Sequence, residues 1–168
     1  MAPLKFCTER RPVEAWLDHD QVAWKWARSP ADLFDEAGAA AHWSAPTVQA
    51  VEEAVGYWFG WLAETEPAAL ALAPADRLSP ARLQAFAQAL GKALAPASVV
   101  HRLAHLAEGM RVMYPQVDRG FLNALRHRLK RQSRPVRRKE TLMINAARLV
   151  ELGEALMREA DGLTGTTA

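Results

Sequence analysis

Prolines cut this chain into lengths that suit helices and little else. Pro46, Pro80 and Pro96 each stand at the start of a segment whose apolar residues recur at steps of three and four. A proline is accepted in the first turn of a helix, where its missing N–H has no intrahelical partner to lose, and is excluded from the interior. Ser44 and Ser79 precede two of these starts and suit N-capping. Pro67 and Pro115 lie just beyond two segment ends. The spacing predicts a helix from Ser44 to about Thr65 on Val48, Val51, Val55, Trp58 and Leu62. A second follows Ser79 on Leu83, Phe86, Leu90 and Leu94, with Leu78 and Leu83 placed as a hydrophobic staple. A third opens at Pro96 on Val99, Leu103, Leu106, Met110 and Met113. A fourth, capped by Asp118, turns Phe121, Leu122, Leu125 and Leu129 inward. A last one, over roughly 141–160, buries Leu142, Ala146, Leu149, Leu152 and Leu156.

Before Ser44 the pattern is weaker. Asp20 is placed to cap a short helix to about Arg28, with Val22, Trp24 and Trp26 as its apolar surface, and residues 32–41 read as another short helical turn. Residues 66–78, with two prolines, read as a linker. The expected fold is all-α, a compact bundle of about four to five helices with an N-terminal arm containing short helices. The arm is expected over 1–43, the helical bundle over 44–139, and a final helix and linker over 140–168. Tyr57, Trp58, Phe59 and Trp61 crowd one end of the first long helix. They read as core or helix–helix contact; a platform for stacking single-stranded bases is the sharper alternative.

Charge is distributed as unevenly as apolarity. Residues 92–139 hold twelve Lys/Arg against Glu108 and Asp118, a net +10, whereas residues 1–91 carry −5 and residues 140–168 carry −3. The total of +2 conceals this block. A dense basic segment on helices is the electrostatic footprint of a protein that binds a phosphate backbone. Two helical faces carry it. On the Pro96 helix, the face opposite the apolar stripe holds Ser98, His101, Arg102, His105 and Gly109. On the next helix, Arg119, Asn123, Arg126 and Lys130 form the outward stripe, with His127 at its border, and nothing acidic lies on that helix after its Asp118 cap to pair with them. Lys92 and Arg131 add to the block, and Arg134, Arg137, Arg138 and Lys139 form a basic extended segment around Pro135 suited to clamping a backbone. Either face can also be a plain solvated surface.

Other chemistries find little support. Cys7 is the single cysteine, which excludes an internal disulfide and suits a reducing cytoplasm. His101 and His105 share a face but have no further ligands in pattern, so neither metal nor cofactor is expected. No apolar run approaches a membrane span, and the first residues lack the apolar core of a secretion signal.

Three motifs occur in order: Pro96-Ala97-Ser98-Val99-Val100-His101-Arg102-Leu103, then Pro115-Gln116-Val117-Asp118, then Arg134-Pro135-Val136-Arg137-Arg138-Lys139. Together with His42-Trp43-Ser44 leading into a helix that ends at Trp61-Leu62, they make roughly residues 12–160 resemble the N-terminal core-binding (SAM-like) domain of tyrosine recombinases, the phage-integrase family. The resemblance implies a small helical bundle that grips one face of double-stranded DNA during recombination or integration. It implies DNA contacts at Ser98, Arg102 and His105 on one helix and at Arg119, Asn123, Arg126 and Lys130 on the next. It also implies self-association on DNA and a separate catalytic domain closing the other face. Gly120 departs from the pattern where many relatives carry a tryptophan. No His-Xaa-Xaa-Arg motif occurs, and the only tyrosines are Tyr57 and Tyr114, neither set among the cationic groups that DNA cleavage requires. The expectation is a DNA-binding portion with no catalysis of its own. The alternative is a helical protein-interaction module whose basic face docks an acidic partner.

Overall fold

A computed structural model of the chain describes residues 9–33, 36–133 and 146–164; these are all-helical, with no strand among them. The chain divides into two units, Met1–Ser133 and Arg134–Ala168. The first contains α1 (Asp18–Ala27), α2 (Ala45–Thr65), α3 (Pro74–Arg77), α4 (Pro80–Ala93), α5 (Pro96–Met113) and α6 (Gly120–Gln132). Single turns of 3-10 helix occur at Val13–Ala15 and Pro67–Ala71. The second unit contains α7 (Ala146–Thr164).

The proline-opened helices begin where the local chemistry places them. Pro80 and Pro96 are the first residues of α4 and α5. Ser79 Oγ accepts from the Arg82 N–H at 3.4 Å, and Ser44, the N-cap of α2, instead bonds Thr47 through its hydroxyl at 2.9 Å. Helix α6 starts one residue later than expected. Its cap position is Arg119, and Asp118 Oδ1 accepts from the Gly120 N–H at 2.8 Å, an Asx-type turn just ahead of the helix.

Helix α5 is the centre of the first unit and packs against α1, α2, α4 and α6. Its predicted stripe of Val99, Leu103, Leu106, Met110 and Met113 is fully buried, as are Leu83, Phe86 and Leu90 of α4. Each such side chain contributes roughly 1.5–3 kcal/mol of transfer free energy. The aromatic cluster of α2 belongs to this core: Trp58 stacks on Trp61 with ring centroids 5.5 Å apart and meets Phe86 edge-on at 5.1 Å. Trp58, Phe59 and Trp61 are all buried and only Tyr57 is partly open, so no row of aromatic faces is accessible for stacking bases.

Several expectations change. Residues 9–33 and 36–43 do not stand apart from the core. Trp16, Trp24, Ala27 and Ala40 are buried in it, and the Arg11 N–H bonds the Gly56 carbonyl at 3.1 Å. Gly56 permits that approach, since a Cβ there would lie 2.4 Å from the Arg11 carbonyl oxygen. Residues 36–41 form irregular chain and a turn instead of a helix, because their backbone pairs with the end of α1 (Gly38 N–H to Ser29 O, Ala40 N–H to Ala27 O). In α1 only Asp20, Trp24 and Ala27 are buried, and Val22 and Trp26 are exposed. The segment read as a linker contains the Pro67–Ala71 turn and α3. Arg82 fastens it to α4, its guanidinium forked on Glu66 with two contacts of 2.7 Å and holding that carboxyl below its usual range. Phe121 is exposed, so α6 buries Leu122 and half-buries Leu125 and Leu129. In α7 the expected inward residues Leu149, Leu152 and Leu156 are exposed; Leu142 lies outside the described residues.

Candidate nucleic-acid interface

The basic residues fall on two surfaces. Arg119, Asn123, Arg126 and Lys130 recur at steps of four, three and four, one face of α6 and the turn before it. Lys130 and Arg131 are exposed, and Asn123 and Arg126 are half-buried. No carboxylate of the described residues lies within ion-pair distance of Arg126, Lys130 or Arg131. Arg119 differs: its Nη1 donates to the Val117 carbonyl at 2.9 Å and so closes the turn into α6. Lys92 is exposed at the end of α4. Its neighbour Gly91 shares a hollow with Leu129, Gln132 and Ser133, so the C-terminal ends of α4 and α6 meet. Arg134, Arg137, Arg138 and Lys139 lie outside the described residues.

The second surface is a concavity of about 280 Å³ between α2 and α5, lined by Ala50, Glu53, Ser98, His101, Arg102 and His105. It gathers all four α5 residues expected in the site and none of those on α6. Ser98 and His101 are exposed; Arg102 and His105 are half-buried. The Arg102 guanidinium lies 4.4 Å from the Tyr57 ring centroid, a cation–π stack that fixes its plane. Its Nη1 is buried without a hydrogen-bond partner. Burial, with the neighbouring His101 and Arg102, holds the His105 pKa below the ordinary imidazole value; Glu108 and Glu53 oppose that shift. Glu53 also pairs with Arg10 at 3.6 Å.

Gly109, expected on the same open face, is buried instead. A Cβ there would lie 2.6 Å from Val55 Cγ2 and 3.1 Å from Val51 Cγ1. The missing side chain lets α2 approach α5 closely, and that approach brings Glu53 and Tyr57 beside the α5 residues. Sequence reasoning did not reach Glu53 or the role of Tyr57. Their i,i+4 spacing marks a shared face of α2, but nothing local tells which helix that face meets.

A third polar group, also absent from the sequence reading, lies in the core. Asp20 accepts from the Tyr114 hydroxyl on one oxygen and from Arg77 Nη1 at 2.9 Å on the other. Arg77 Nη2 contacts His19 Nε2 at 2.8 Å, and its guanidinium lies 5.4 Å from the Phe59 ring centroid. A guanidinium only donates, so His19 Nε2 is the acceptor of this contact. Desolvation first, then Asp20, push the Tyr114 phenol far above its ordinary pKa, so it remains a protonated donor. The group joins α1, α3 and the end of α5. Tyr57, the other tyrosine, is the platform under Arg102.

Among the described residues no three His, Cys, Asp or Glu side chains are grouped to hold a metal ion, and no helix is long and apolar enough to cross a membrane. Compared with known families, curated proteins and solved structures, the chain finds no matching family model, no matching curated protein and no matching solved structure.

Proposed function

We propose that this chain binds double-stranded DNA in the manner of the core-binding domain of a tyrosine recombinase, as the non-catalytic, cytoplasmic part of a recombination or integration machine. One observation carries the reading: the α6 stripe, whose Arg126 and Lys130 face no carboxylate of the described residues. Such a stripe repels itself until a polyanion neutralises it. A helix fits the major groove, where arginine forks onto guanine and asparagine onto adenine, while lysine meets phosphates. Asn123 and Arg126 suit the first task and Lys130 and Arg131 the second.

Fluorescence anisotropy with a labelled random duplex, titrated at several salt concentrations, tests this. Neutralising about six phosphates predicts roughly 10³-fold weaker binding at 200 mM than at 50 mM salt. Sequencing the bound fraction then separates a base reader, which enriches a motif, from a backbone clamp, which does not. No binding at low salt would refute the reading.

A second reading, a protein-interaction module, draws on α1. Val22 and Trp26 are 66% and 60% exposed there, and Val22 lines a hollow with Val13, Lys25 and Pro30. Exposed tryptophan is a common anchor of protein interfaces. A mobility shift with heparin competitor discriminates the two: loss of the shift on heparin favours the polyanion surface.

A further inference from the structure

We infer that the concavity between α2 and α5 is a proton-coupled phosphate site, in which His105 takes up a proton as a backbone phosphate of the duplex enters beside Arg102. The inference rests on the DNA-binding reading and adds to it a pH dependence.

The geometry supplies the donors. Ser98, His101, Arg102 and His105 line one hollow, at positions i, i+3, i+4 and i+7 of α5. Arg102 is held in plane by Tyr57, and its Nη1 makes no hydrogen bond within the protein. A buried guanidinium N–H without a partner costs free energy unless a ligand oxygen or water meets it. A phosphodiester oxygen is a charged acceptor of suitable size.

The charges around the histidines decide the direction of the effect. Along α5, His105 faces His101 and Arg102, which disfavour its protonation, and Glu108, which favours it; from α2 it faces Glu53, which also favours it. Glu53 is itself paired with Arg10 at 3.6 Å, and Glu108 with Arg111 at 2.9 Å, which blunts both. Burial adds to the disfavouring side. In the free protein His105 is therefore neutral at pH 7. A phosphate entering the hollow adds a negative charge next to His105 and reverses the balance. Both ring nitrogens of a protonated histidine donate, whereas a neutral ring donates from one only, so a protonated His105 offers the phosphate a bond that the neutral ring lacks. Because the bound state holds more protons than the free one, affinity rises as pH falls. The window opens at the pKa of the complex and extends below the ordinary imidazole value, since His105 starts lower in the free protein.

The experiment measures duplex binding by the whole chain from about pH 8 to pH 5.5 at constant ionic strength. Isothermal titration in two buffers of different ionisation enthalpy counts the protons taken up. The unmodified chain is expected to bind about tenfold more tightly at pH 6.0 than at pH 7.5, with uptake of about one proton. In the His101→Gln/His105→Gln variant the change is expected to shrink to about twofold. Both substitutions sit at exposed or half-buried positions, and circular dichroism checks the fold. His105→Gln alone, expected to remove the uptake, serves if the double variant unfolds. DNA binding that is independent of pH, or a pH dependence kept in the double variant, would overturn the histidine site and leave the DNA reading standing. Absence of binding at every pH and low salt would overturn both.

Discussion

Arg77 and Arg126 show how differently the two sides of this domain use one side chain. Arg77 is 2% exposed, fixed by Asp20 and His19 and stacked near Phe59. Its charge is neutralised inside the protein and ties α3 to α1. Arg126 sits half-buried on α6 and meets no carboxylate of the described residues. Its charge is left for something outside. Arg102 is intermediate: Tyr57 orients it, no carboxylate of the described residues pairs with it, and its Nη1, like Arg77 Nε, is buried without a partner. A buried, paired arginine maintains the fold, whereas an unpaired surface arginine costs the fold little and is available to a ligand.

The comparison breaks most directly at Asp20. Asp20→Ala leaves Arg77 buried without its counter-charge and should cost about 3–5 kcal/mol in urea denaturation. A cost under 1 kcal/mol would mean that Arg77 finds water instead. Gly109→Ala forces a methyl into Val55 and should cost about 1–3 kcal/mol, with the α2–α5 concavity distorted along with it. On the other side, Arg126→Gln should leave stability within about 0.5 kcal/mol yet weaken cognate DNA by about 1–3 kcal/mol and relax base preference. Lys130→Gln should weaken all duplexes alike and lower the salt slope by about one. Equal losses for Arg126→Gln on cognate and random DNA would reassign Arg126 to the phosphates.

The smallest expected effect concerns His105. Its folded pKa lies below the ordinary value, so the unfolded chain binds the proton more readily. The stability this contributes is present above about pH 6.5 and is lost as pH falls through the folded pKa. The free protein's melting temperature should therefore fall from pH 7.5 to 5.5, and His105→Gln should flatten that slope slightly. Bound DNA should reverse its sign, which sharpens the contrast between free and bound α5.

Of the fold, the helices that open on proline were legible because their signals are local: a cap, a fixed φ and an apolar stripe lie within a few residues of one another. The same logic found the α6 stripe. It failed where a partner decides. Phe121 fits the inward pattern of α6 yet is exposed, and Leu149, Leu152 and Leu156 of α7 keep their apolar stripe in solvent. Periodicity says which residues share a face and leaves open what, if anything, covers that face.

The sequence by itself determined an all-helical chain, the starts of α2, α4 and α5, and the concentration of positive charge after residue 91. These depend on backbone chemistry and composition, which act over one or two turns. Only the tertiary structure decided which charges are neutralised internally. Asp20 meets Arg77 across 57 residues and Tyr114 across 94. Glu53 and Tyr57 reach the α5 histidines and Arg102 only because Gly109 lets two helices touch. Ion pairs and cation–π stacks require approach within a few ångströms, and over such separations that approach is set by how the helices pack together.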